Sequence, residues 1–237
     1  MKILERLALI ENRAQVALDD GSLRQDLGKV EVVTGKVVAL ARSLDRIAVA
    51  YRELQPVRAD QCSALVPALQ SVAATLSLLA EQVRTTQQAG ARTEFAQQFA
   101  TAEKTVKTVE QSLMDAWVSY REQHQRPSVD RDLLEIFQRA GLRVDHLLER
   151  YDDAELKLRL IEEPSLPGAG AVDGFRNSLE SLAAVSEGLT DVVPAPIAGF
   201  LRRADTPQGA PLSAFTAEVQ TFLQEHYIAA RYSIRGR

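Results

Sequence analysis

Apolar residues recur at alternating steps of three and four through most of the first 161 positions, and no other feature of the chain limits its fold as much. A 3.5-residue repeat keeps one stripe of a helix facing a partner helix, whereas a half-buried strand needs a period of two. The first run is Ile3, Leu7, Ile10, Ala14 and Ala17. It meets Asp19-Asp20-Gly21-Ser22, where a glycine C-cap followed by a serine N-cap predicts a break between two helices.

The second run places Leu23, Leu27, Val30, Val33, Val37, Leu40, Leu44, Ile47, Tyr51 and Leu54 on one seam, and Pro56 closes it. Its middle carries an alternative. Gly28, Gly35 and the cluster Val30, Val32, Val33, Val37 and Val38 would also suit a hairpin turning at Thr34-Gly35, because valine favours strands and glycine costs a helix about 1 kcal/mol. The three-four phase continues across both glycines, which favours a single helix.

The third run starts at a candidate N-cap, Asp60, and passes through Leu65, Leu69, Val72, Leu76, Leu79 and Val83 toward Gly90, with Pro67 tolerable in its opening turns. The fourth is Phe95, Phe99, Ala102, Val106, Val109, Leu113, Ala116 and Tyr120, stopped at Arg126-Pro127. The fifth, after Ser128, is Leu133, Phe137, Ala140, Val144, Leu147, Tyr151, Ala154, Leu158 and Ile161, ending against Pro164. Helices of this size would each be about 45 Å long, and their connections are too short for neighbours to run parallel. The expectation is therefore an all-α chain whose residues 1–163 form an elongated antiparallel helical bundle with coiled-coil-like heptad seams.

Beyond residue 163 the pattern changes. Residues 164–174 read as a Pro- and Gly-rich linker, and 175–237 as a smaller, mostly helical C-terminal region. Its first helix carries Phe175, Leu179, Leu182, Val185 and Leu189; Val193 to Leu201 reads as a proline-punctuated loop; Leu212, Phe215, Val219, Phe222 and Leu223 suggest a last helix. The alternation from Arg231 to Arg237 suits a short terminal strand or a tail.

Composition narrows function by exclusion. A net charge of −4, with the excess acid in 128–163, lacks the basic face of a sequence-blind nucleic-acid binder or of a bundle that lies on a membrane surface. The twenty residues between Asp60 and Glu81 carry no charge, yet Gln61, Ser63, Pro67, Gln70, Ser71, Thr75 and Ser77 interrupt them, so a buried bundle helix is expected there rather than a transmembrane segment. A single cysteine and no signal-like start at Met1 suit the cytoplasm, and 22 Arg against 6 Lys suits a GC-rich bacterial genome.

Patterns that carry chemistry are incomplete. Gly35-Lys36 would need glycine where Val30 stands and a hydroxyl where Val37 stands to cradle phosphate. Gly168, Gly170 and Gly174 are misspaced for a dinucleotide loop and follow Pro167 instead of a strand. His124, His146 and His226 are scattered, and the His146-x-x-Glu149 pair beside Asp145 reverses the order used in di-iron bundles. Cys62 has only Arg58 as a basic neighbour. No catalytic residue, cofactor or metal is expected.

Two groups of residues could bind a partner. Trp117, Tyr120 and Arg121 stand at the far end of the fourth helix, where they would either project outward or fill the end of the core. Tyr227, Arg231, Tyr232, Arg235 and Arg237 interleave aromatic rings with cations after the last acid, Glu225, as suits single-stranded bases or phosphate, unless the segment is a docked or loose tail. The expected function is a non-enzymatic structural or adaptor subunit of a bacterial assembly, binding a partner protein or itself through long amphipathic helices. The alternative is a nucleic-acid-associated subunit using surface Arg and the basic, aromatic tail.

Overall fold

The computed structural model describes residues 21–85, 93–163 and 165–232, with side chains from Gly35 to Gln82 and from Thr93 onward. Regular structure in these residues is all helical, with no strand among them. The helices are α1 (Gly21–Leu54), α2 (Ala59–Thr85), α3 (Thr93–Glu122), α4 (Arg131–Ala140), α5 (Asp145–Glu162), α6 (Ala171–Val192), α7 (Ala195–Ala204) and α8 (Ala217–Glu225). Short 3₁₀ turns occupy Leu212–Ala214 and Ala229–Arg231. The run from Ile3 to Ala17 lies outside the described residues.

The chain divides into two compact units. The first is Met1–Arg121 with Ser165–Ala169, and the second is Glu122–Pro164 with Gly170–Arg237.

In the first unit, α1 is one unbroken helix through Thr34-Gly35, so the hairpin alternative is not realised. Its buried residues Leu40, Ile47 and Leu54 fall seven apart, with Ala50 beside them. Val37, expected on the same row, is 45% exposed. The buried residues of α3 are Phe95, Phe99, Ala102, Val106, Val109, Leu113, Ala116 and Tyr120, in steps of four and three, with Trp117 added. α2 contributes Cys62, Val72 and Leu79. Polar ties join the helices: Arg46 to Glu110 at 3.2 Å, Arg58 Nη2 donating to Ser119 Oγ at 3.3 Å, and Gln82 Nε2 donating to Gln98 Oε1 at 3.4 Å.

The second unit departs from expectation at three places, each for a local reason. The helix expected across 128–161 is two helices, α4 and α5. Gly141 takes a left-handed φ of 96°, its N–H donates to Gln138 O, and Leu142 N–H donates to Phe137 O at 3.0 Å. That is a Schellman termination, and Leu142 and Phe137 are both buried beside it. The linker ends sooner than residue 174, since Gly170 is left-handed at φ 74° and α6 begins at Ala171. The stretch from Val193 to Leu201, expected as a loop, is largely α7. Pro194 precedes its first turn and Pro196 sits within it, where a helix needs no N–H donor.

α5 and α6 form the most extensive pairing in this unit. A Cβ on Gly188 would lie 3.1 Å from Leu147, tighter than an ordinary contact, so that glycine lets the two helices approach, whereas a Cβ on Gly174 would meet Ile161 at an ordinary 3.5 Å. The apolar row of α5 therefore faces α6, which places residues 131–162 with the C-terminal region and not with α1–α3. α4, α5, α7 and α8 enclose a core that includes Leu134, Phe137, Leu147, Ile197, Leu201 and Leu223.

Candidate functional site

α2 combines a long stretch free of Asp, Glu, Lys and Arg with exposed large apolar side chains, which α1 and α5 carry as well. Gln61 to Ala80 carries no ionisable group except the buried thiol of Cys62. Ala59–Gln82 is long and apolar enough to cross a membrane by length and composition, yet only 17% of the eighteen residues on which that rests are buried. The expectation of a buried bundle helix thus holds for one row only. Leu78 is 61% exposed and Val66 36%, both off the buried row of Val72 and Leu79 and about 120° apart around the helix. Two hydroxyls on this helix are satisfied internally: Thr75 donates to Ser71 O and Ser77 to Ala73 O, both at 2.9 Å. Covering this part of the helix would not orphan those donors, so its desolvation is cheap for a polar surface.

Trp117 and Tyr120 sit in the core at 2% and 3% exposure, with rings stacked at 5.7 Å and 14°. The Arg121 guanidinium lies 5.5 Å from the Trp117 ring and that of Arg58 lies 5.7 Å from the Tyr120 ring. Desolvated cation–π contacts of this kind fix the end of a core. These aromatic faces are covered by the protein's own arginines, and neither ring offers surface to a partner. In the sequence Arg58 stands out only as the one basic neighbour of Cys62.

The C-terminal residues are engaged differently. Arg231 Nη1 donates to Arg139 O at 2.9 Å, at the C-terminal end of α4, and its guanidinium rests where a Cβ on Gly141 would come within 2.8 Å. A cation there also meets the negative end of the helix dipole. Tyr232 sets its ring edge-on to Phe200 at 5.8 Å, and burial pushes its phenol pKa upward. Tyr227 is 93% exposed with φ 57°, a left-handed backbone. Arg235 and Arg237 lie outside the described residues.

Groups with catalytic chemistry stay apart. Cys62 is fully buried and burial pushes its thiol pKa up, away from the reactive thiolate. His124 packs edge-on against Phe175 at 5.9 Å, and the His226 ring lies tilted against Phe222 at 4.2 Å. Asp145 accepts from Gln138 Nε2 at 2.7 Å. Among the described residues no group of three His, Cys, Asp or Glu side chains could hold a metal ion. Lys36 follows Gly35 inside α1, not on a phosphate-cradling loop. Comparison with protein-family models, curated proteins and solved structures finds no match to this chain.

Proposed function

We propose that the chain is a non-enzymatic structural or adaptor subunit of a bacterial, cytoplasmic assembly, and that it binds a partner protein or a second copy of itself through its long N-terminal helices. The observation that carries this reading is α2, a helix of 27 residues with no Asp, Glu, Lys or Arg between Asp60 and Glu81, one buried row, and the large apolar side chains of Val66 and Leu78 left exposed. An open apolar surface on a long helix is the usual mark of an interaction site.

In this reading α1, α2 and α3 form an elongated antiparallel bundle with heptad seams. The ties of residue 82 to 98 and of 58 to 119 support opposite directions for α2 and α3, because one number rises as the other falls. The three-four burial along α3 supports a coiled-coil-like seam. The nucleic-acid alternative is left with a single cation, Arg231, among the described residues after Glu225, and with a Tyr232 ring packed edge-on against Phe200.

The test is Leu78→Glu, since a charge at a 61%-exposed position spares the fold. Light scattering after size exclusion and a native pull-down should show a complex or oligomer for the unaltered chain. Leu78→Glu should lose it with an unchanged helical circular dichroism spectrum. A monomer without a stoichiometric partner, or a complex indifferent to Leu78→Glu, overturns the reading.

A further inference from the structure

The second unit carries a groove of about 500 Å³ between the end of α7, the 206–212 loop, α8 and the 229–232 turn. Its floor is apolar. Phe200 contacts Phe215 and Tyr232, each at 5.8 Å between ring centroids, and Leu223 is buried beneath. Its walls carry Gln208, Gln220 and Gln224, whose amides engage no other described residue. A primary amide presents a donor and an acceptor side by side, the complement of a peptide group in an extended chain. Arg231 is the one charged side chain among the described residues lining the groove. It donates to a carbonyl, Arg139 O, and has no carboxylate partner among the described residues. A lone cation without a lining acid favours an anionic ligand group.

We propose that this groove docks an extended peptide segment of another protein, one that places an apolar side chain on the Phe200 floor and a neighbouring Asp or Glu at Arg231. The free glutamine amides hold the peptide backbone. The volume lies within the range of pockets that hold small ligands or a few residues. The site is separate from α2, so the two readings stand or fall apart.

The experiment pans a phage-displayed dodecapeptide library on the full chain, then titrates the enriched sequences as end-blocked peptides by fluorescence anisotropy. Enriched peptides should pair an apolar residue with Asp or Glu. Arg231→Gln should weaken them roughly tenfold or more, as loss of a charge-assisted pair does. Because Arg231 also holds the α4 end, Gln224→Ala supplies an exposed control, expected to weaken binding several-fold without altering helical circular dichroism. Leu78→Glu should leave affinity unchanged. No enrichment, enriched peptides without an acid, equal affinity for Gln224→Ala, or loss of binding in Leu78→Glu overturns the proposal. Displacement of the peptides by micromolar indole-3-acetate would make the groove a small-acid site and overturn it as well.

Discussion

Gly141 and Tyr227 occupy the same place in two Schellman terminations, and the difference between them is measurable. After α8, Tyr227 N–H donates to Gln224 O at 3.0 Å and Ile228 N–H to Leu223 O at 2.9 Å, with Leu223 and Ile228 both buried, as Phe137 and Leu142 are after α4. Both central residues are left-handed, a conformation that costs an L side chain about 1–2 kcal/mol and glycine almost nothing. Tyr227→Gly should therefore stabilise the protein by about 0.5–1 kcal/mol. Gly141→Ala should destabilise it by about 2 kcal/mol, since the new Cβ adds the backbone penalty and also displaces the Arg231 guanidinium. Urea melts followed by circular dichroism measure both. Asp130 has two roles that substitution separates: Oδ1 accepts from Leu133 N–H at 3.0 Å and Oδ2 pairs with Arg202. Asp130→Ala should cost about 1 kcal/mol and Asp130→Asn only a few tenths, because asparagine keeps the cap and an ion pair half exposed on each side contributes little. Equal losses would place the stability in the ion pair instead.

At the scale of helices, the sequence was most readable where a long row met no competing signal. Every residue named on the α3 seam is buried, because thirty residues without Gly or Pro let one phase run from Phe95 to Tyr120. The break between α4 and α5 was hidden because Ala140, Val144 and Leu147 keep the three-four spacing across the turn, so periodicity reported continuity while Gly141 ended the helix. α7 was hidden by the opposite error, as two prolines suggested a loop where they only open a helix. The openness of α2 was not legible either, since a row of apolar spacing does not say how much of the remaining circumference finds a neighbour. Its buried row nevertheless makes a testable element. Cys62 is fully covered and its thiol pKa is raised by burial, so the folded state holds that proton more tightly than the unfolded chain does. The stabilisation is present below the ordinary thiol value near 9 and is lost as pH rises through the raised one. Labelling by a disulfide reagent at pH 8 should be at least about a hundredfold slower than for the unfolded chain. Rapid labelling of the native protein would mean that α2 opens without unfolding.

At the scale of the whole chain, the composition shift at Pro164 suggested a boundary there, whereas the compact units meet first at Arg121 and Glu122. A seam announces that a helix needs a partner but not which one. The close approach of α5 to α6 at Leu147 uses Gly188, a glycine that no periodicity singles out. This division gives a single-chain experiment its handle, because the sole tryptophan, Trp117, belongs to the first unit while helix runs through both. Tryptophan fluorescence should follow unfolding of the first unit, and far-ultraviolet circular dichroism should follow both, so the two urea transitions should not coincide. Gly141→Ala, which acts in the second unit, should move the circular dichroism transition to lower urea and leave the Trp117 transition in place. Coincident transitions that Gly141→Ala shifts together would show that the two units unfold as one. The cost of opening the Gly141 turn would then be felt at Trp117, and the apolar side of α2 could be exposed or covered only together with the groove at Phe200.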